Sequence, residues 1–301
     1  MIDFYFDTEF AEDFKKPISW LPKGSLNKPY YFIDLISIGI FCKKGDKEYT
    51  YYAVNKDIDI NWIWNLYDVM TSESSRLKPD EMKHYWIRVN VLHKIWEEFE
   101  YMEYRDNPND IKEEYYQILD GLPTNKERIR FYIDEMCRIP SCTPEFTPSR
   151  LKYLIDKFGK TRKQIAYEIK KFVYLVSEIN DPLCIANWED AKHLFPLNFY
   201  SYYGSYDWQL LCSLYGGIKK LPLGFPKYSK DLKFIMDEFV KSKFLIETVR
   251  ELDFDTKLKA FKCLNIGDIA YPIEIDDNHA LTDAMWNHKL HDFLKLANNE
   301  I

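Results

Sequence analysis

Two carboxylates separated by a single residue close an aromatic run at the start of the chain, Ile2-Asp3-Phe4-Tyr5-Phe6-Asp7-Thr8-Glu9-Phe10. Aromatic and β-branched residues favour a pleated strand, in which residues i and i+2 point to the same face. Asp7 and Glu9 therefore converge on one side of a sheet, and Phe6, Thr8 and Phe10 face the other. Like charges held side by side are costly unless something positive sits between them. A divalent cation meets that need, and Mg²⁺ or Mn²⁺ prefers carboxylate oxygen. The pattern thus predicts a strand that ends in a cation site.

Composition narrows the class. The 301 residues suffice for one large domain or two small ones with a sizeable core. Glycine is scarce, and no G-x-G-x-x-G or Walker A sequence occurs, which argues against a glycine-rich phosphate loop. A net charge of -7 argues against avid, non-specific duplex binding. It leaves a nuclease open, because bound metal ions offset acidic charge locally. The six cysteines, at 42, 137, 142, 184, 212 and 263, form no C-x-x-C pair, so reduced thiols in a cytoplasmic protein are expected rather than a zinc ribbon. The first residues carry Asp3 and Asp7 and no basic stretch, unlike a signal peptide. The longest apolar run, Tyr31 to Phe41, contains Asp34 and is too short to span a bilayer, so no membrane partner is expected.

Residues 2–6, 31–41 and 47–54 read as strands, with Lys44-Gly45-Asp46 as the hairpin turn between the last two. Residues 11–29, with three prolines, one glycine and several lysines, read as a loop beside the first carboxylates. Residues 80–104 place Met82, Tyr85, Trp86, Val89, Leu92, Ile95, Trp96 and Phe99 at helical spacing. Further helices are predicted over 111–120, from the Thr124/Glu127 capping box to about Arg138, and from the Thr161/Gln164 capping box to about Ile179. Residues 197–203 predict a strand and Gly204-Ser205 a turn. Helices are predicted next over 206–214, 230–240 and 280–297.

Two further acids stand in informative settings. Asp207 opens a helix just past the strand 197–203, and Asp283 lies in His279-Ala280-Leu281-Thr282-Asp283-Ala284 near the start of the last helix. This order resembles the DEDD superfamily of 3′→5′ exonucleases, which have a ribonuclease H-like fold. Within it, Tyr5-Phe6-Asp7-Thr8-Glu9-Phe10 and Ile33-Asp34-Leu35-Ile36-Ser37-Ile38-Gly39 are similar to the first two strands of the exoribonuclease AS family. Tyr203-Gly204-Ser205-Tyr206-Asp207-Trp208-Gln209-Leu210-Leu211-Cys212 resembles its second motif, and Leu221-Pro222 and Lys230-Asp231-Leu232-Lys233 fit the family's stretch after that motif. The segment from His279 to Ala284 is similar to the third motif, and Trp86 to Leu92 also fits. The resemblance covers about 1–95 and 148–297 and leaves 97–147 as a helical insertion in a single domain, 1–301.

The resemblance implies an α/β fold: a ribonuclease H-like mixed sheet flanked by helices, with a helical insertion. It implies a metal-dependent 3′→5′ exoribonuclease that releases nucleoside 5′-monophosphates. Two Mg²⁺ or Mn²⁺ ions would be held by Asp7, Glu9, Asp207 and Asp283. The partner would be single-stranded or 3′-overhang nucleic acid, RNA favoured, and the protein a homodimer. A DNA exonuclease of the same superfamily, or a nucleic-acid-binding module that kept the fold and lost catalysis, are the alternatives.

The superfamily's histidine lies five residues before the last Asp, a place held here by Asn278, with His279 four before. Four helical residues leave side chains about 40° apart and five about 140°. If the helix begins before His279, that residue shares a face with Asp283 and is the candidate base, taking a proton from the attacking water. Thr8, Phe10, Tyr206 and Trp208 are candidate substrate contacts, Tyr206 and Trp208 as stacking surfaces for a terminal base or as core residues. Lys15, Lys16, Lys23 and Lys28 are candidate phosphate contacts. Asp231 reads as a helix N-terminal acid, and Asp3 shares the face of Asp7 by strand parity. His84, His93, His193, His288 and His291 read as surface or helix-face residues.

Overall fold

The computed structural model describes residues 2–15, 30–65, 87–106, 146–178, 197–242, 253–266, 268–273 and 278–300. The helices expected over 111–120 and 124–138, together with Lys16, Lys23, Lys28, His84 and His193, lie outside the described residues. The chain divides into two compact units, one of Met1–Ala53 with Arg162–Ile301 and one of Val54–Thr161.

The first unit is built on β1 (Ile2–Lys15), β2 (Tyr30–Lys44), β3 (Lys47–Val54), β4 (Leu197–Ser201) and β5 (Lys230–Asp231), in the order β3-β2-β1-β4-β5. β2 runs antiparallel to β1, whereas β4 and β5 run parallel to it, so the sheet is mixed. Gly45, at φ 62°, makes the tight turn between β2 and β3. The sheet corrects one expectation: residues 11–15 are strand, not loop, and pair from Ala11 with Asp34 to Lys15 with Tyr30. A continuous partner on β2 overrides the poor strand propensity of Glu12, Asp13 and Lys15. The register slips between Glu9 and Phe10, where β2 carries one extra residue, Ile36.

The second unit holds α1 (Ile60–Asn65), a π-helical turn (Ile87–Leu92) that runs on into α2 (His93–Asp106), and α3 (Pro148–Phe158). Of the positions read at helical spacing over 80–104, Leu92, Ile95, Trp96 and Phe99 are buried, beside Ile87 and Val91 of the π-helical turn, and 80–86 lie outside the described residues. Thr147 caps α3 by accepting from the Arg150 N–H, with Pro148 in the first turn. Glu100, only 1% exposed, accepts both Nε (2.5 Å) and Nη2 (2.7 Å) of Arg150. This unit reaches beyond both ends of the 97–147 segment expected as an insertion. Its two chain ends are paired, Lys56 N–H to the Lys160 carbonyl (2.9 Å) and Lys160 N–H to the Val54 carbonyl (2.8 Å).

Back in the first unit, α4 (Arg162–Val176) starts directly after Thr161, as the capping spacing predicts, and buries Ile165, Ile169, Val173 and Val176. It is followed by α5 (Gly204–Leu214), α6 (Leu232–Ser242), α7 (Phe254–Lys262) and α8 (Ala280–Glu300). Strand alternation sorts the two cores. Phe4, Phe6, Ile40 and Phe199 meet α4 and α5 on one face, and Tyr5, Phe41 and Tyr200 meet α6, α7 and α8 on the other. The α7 helix, capped by Asp253 on the Thr256 N–H (3.0 Å), and a small hairpin, β6 (Asn265–Ile266) with β7 (Ile269–Ala270), went unread in the sequence. Among the described residues no helix is long and apolar enough to cross a membrane.

Candidate metal centre

Asp7 faces Gly39 across the β1–β2 ladder. A Cβ at Gly39 would lie 2.2 Å from the Leu281 nitrogen and 2.3 Å from the Ala280 carbonyl carbon. The missing side chain is what lets the first turn of α8 rest directly on the sheet beside Asp7. Asp283 sits in that turn, its N–H bonded to the His279 carbonyl at 3.0 Å. One turn on, Asn287 Nδ2 donates to the Phe6 carbonyl at 3.2 Å. The next turn brings His291 Nδ1 to the Tyr5 hydroxyl at 2.7 Å, and the next brings Lys295 Nζ to Asp3 at 3.7 Å. Four helical residues advance about 6 Å and two strand residues about 6.6 Å. Residues 283, 287, 291 and 295 therefore keep step with β1 as it runs back from Asp7. The outcome is that ligand oxygens of Asp7, Glu9 and Asp283 all lie within 4.8 Å of one another.

Asp207 arrives from the opposite face of the sheet. β4 ends at Ser201, Tyr203 takes a left-handed conformation (φ 58°, ψ 42°), and Gly204 already begins α5, two residues before the sequence pattern placed it. A Cβ at Gly204 would fall 2.5 Å from the Ser201 hydroxyl, so any side chain there would have to turn the Ser201 hydroxyl aside. Asp231 braces it: one carboxylate oxygen accepts from the Gly204 N–H (3.0 Å) and the other from the Phe234 N–H (3.1 Å), tying the starts of α5 and α6 together. Asp207 is thereby aimed at β1, where the buried Thr8 hydroxyl donates to it at 2.5 Å. It stands outside the 4.8 Å group of three, yet its charge is the strongest of those acting on Asp7.

The electrostatics are one-sided. Burial first, then the charges of Asp207, Glu9 and Asp283, hold the Asp7 carboxyl well above the ordinary range. Burial, with smaller pushes from Asp231 and Asp283, moves Asp207 up to about 7 against the opposing hydrogen bond from Thr8. Every charge that shifts Asp7 is thus an anion. Three carboxylates without sulfur or imidazole form a hard-oxygen donor set, which suits Mg²⁺ or Mn²⁺ rather than zinc.

The other candidates divide. Phe10 and Tyr206 come together, ring centroids 5.5 Å apart, with Tyr206 42% exposed. Trp208 does not present a face to a base: it is buried, edge-on to Phe6 (6.1 Å), with its indole N–H on the Lys227 carbonyl. Thr8 is buried too and acts on Asp207. His279 precedes the first residue of α8 and stacks on Tyr52 of β3 at 4.3 Å, outside the carboxylate group, while Asn278 takes a left-handed φ of 46°. His291 and His288 are helix-face residues, on the side of α8 turned toward the sheet. Burial lowers the pKa of His291 to about 4, and His288 lies edge-on to Tyr5 and Phe41. Asp3 shares the face of Asp7 but sits at the far end of the ladder, on Asn198 (2.7 Å).

Sequence reasoning missed Gly39 and Asn287. Asn287 carried a signal, lying four residues after Asp283 and so on the same helix face. Gly39 carried none, because the need for a bare backbone arises only from a helix some 240 residues later. Against protein-family models the sequence matches none, and it matches no curated protein.

Proposed function

We propose that this protein is a metal-dependent 3′→5′ exonuclease of ribonuclease H-like fold that shortens RNA from its 3′ end. The observation that carries this reading is the convergence of Asp7, Glu9 and Asp283 within 4.8 Å, with Asp207 held beside them. The sheet order β3-β2-β1-β4-β5, antiparallel at β1–β2 and parallel from β1 to β5, supports the fold assignment. Free thiols at Cys42, Cys212 and Cys263 fit a reducing, cytoplasmic setting.

Asp7, Glu9 and Asp283 would hold one divalent cation, and Asp7 with Asp207 the second. When bound, the ions would activate the attacking water and stabilise the leaving 3′ oxygen. Thr8 fixes which oxygen of Asp207 is turned toward the site. The Phe10–Tyr206 pair gives the terminal base a ring to stack on. His279, one turn before Asp283, takes the proton of the attacking water after leaving its stack on Tyr52.

The test is to incubate matched, labelled RNA and DNA oligomers with Mg²⁺ or Mn²⁺. RNA should shorten from its 3′ end to nucleoside 5′-monophosphates, and Asp7→Ala should abolish this. If neither oligomer shortens, or Asp7→Ala shortens them equally, the reading fails. Faster loss of DNA selects the DNA exonuclease, and binding without turnover selects the inactive module.

A further inference from the structure

The segment Lys227-Tyr228-Ser229-Lys230-Asp231-Leu232-Lys233-Phe234 alternates lysines with aromatic rings in a chain whose net charge is -7. It is fastened to the first turn of α5, the turn that carries Asp207. The Ser229 hydroxyl donates to the Gly204 carbonyl (3.4 Å), Asp231 accepts from the Gly204 N–H (3.0 Å), and the Lys227 carbonyl accepts from Trp208 (3.2 Å). Leu232 anchors the segment in the core. Asp231, the single acid of the segment, is engaged by two backbone N–H groups. Around this anchored frame Tyr228, Phe234 and Tyr203 stand 69%, 66% and 60% exposed, and Lys227 is exposed with them.

Large rings left this open beside an anionic centre are an interaction surface, and the exposed Lys227 among them favours one occupant. An aliphatic protein partner would be met by a continuous apolar patch. Rings separated by cations instead match a single strand of nucleic acid, whose bases stack and whose phosphates pair with ammonium groups. We propose that the strand leading away from the metal centre lies across this surface, its bases on Tyr203, Tyr228 and Phe234 and its phosphates drawn by Lys227. Lys227 offsets part of the repulsion between a polyanion and an acidic protein, whereas Lys230 is held by the Tyr200 hydroxyl (3.1 Å) and Lys233 by Asp237 (2.5 Å). The proposal rests on the nuclease reading and adds a binding track that recognises strands by stacking, without base preference.

The experiment compares oligonucleotides of two and ten nucleotides. Tyr228→Ser with Phe234→Ser removes two exposed rings, and Tyr203→Asn removes the third while keeping a residue that tolerates the left-handed backbone. For the ten-nucleotide strand KM should rise about tenfold per ring lost, with kcat unchanged. For the dinucleotide, which reaches only the metal centre, both constants should stay at wild-type values. Unchanged KM on the long strand overturns the proposal, and so does an equal loss on both lengths, which would mean the rings act through the α5 turn. A wild type that shortens neither strand removes the nuclease reading instead. Fluorescence anisotropy of the labelled ten-nucleotide strand then decides the surface, weaker binding by the variants sustaining it and equal binding overturning it.

Discussion

Gly39→Ala adds one methyl group at the point where α8 rests on the sheet. Its Cβ would lie 2.2–2.3 Å from backbone atoms of Ala280 and Leu281, about 1.2 Å short of ordinary contact. Backbone cannot rotate out of the way as a side chain can, so the start of α8 must lift by about that distance. Gly39 itself has no left-handed φ, so the substitution adds no backbone strain of its own. Asp283 moves with the helix, and the 3.2 Å bond from Asn287 to the Phe6 carbonyl stretches past hydrogen-bonding range. Overpacking of this kind costs about 1–3 kcal/mol, a fall in Tm of roughly 2–5 °C for a chain of this size. Metal ligands tolerate displacements of only about 0.2 Å, so Mn²⁺ affinity should fall at least about tenfold. Any nuclease activity should fall about a hundredfold, as expected for a misplacement of about 1 Å. Calorimetric titration with Mn²⁺ and a thermal melt in EDTA read the two effects separately. Wild-type metal affinity together with an unchanged melt would refute the seating of α8 on Gly39 as the device that assembles the site.

Asp207→Asn keeps an acceptor for Thr8 and removes the titration. Because the folded pKa of Asp207 is raised to about 7, the folded state holds this proton more tightly than the unfolded chain does. Metal-free stability must therefore fall as pH rises from about 4 toward 7, by about 1.4 kcal/mol per unit for each full proton released. Melts in EDTA should show the variant gaining on wild type across that window, and parallel curves would contradict it. In the second unit, Arg150→Leu strands the buried Glu100 and should cost about 3–5 kcal/mol in urea unfolding, whereas Arg150→Leu with Glu100→Leu should recover most of it. His279→Ala should lower kcat about a hundredfold or more if His279 is the base, and Asn278→Ala far less. Equal, small losses would remove His279 from the mechanism.

The Asp-x-Glu pair was readable because a strand has a period of two and the carboxylates fall at its end. The strands β1 to β4, the α4 start after Thr161 and the final helix were legible for the same reason: short periods and caps are local signals. The extension of β1 over residues 11–15 was not, since it depends on a partner strand that local propensity cannot see. Trp208 looked like a stacking surface because its position beside Asp207 says nothing of which way the helix turns. Likewise the Asp231 brace joins the starts of two helices across residues 204 and 234.

By itself, then, the sequence determined the kinds of element and the donor chemistry, since hydrophobic period and carboxylate type are properties of neighbours along the chain. Tertiary structure decided which carboxylates meet. Asp7 and Asp283 are 276 residues apart, and they are joined by a bare glycine, an asparagine and the near-equal pitch of four helical and two extended residues. Steric fit between distant backbones has no periodicity to read, and for that reason it appears only once the chain is folded.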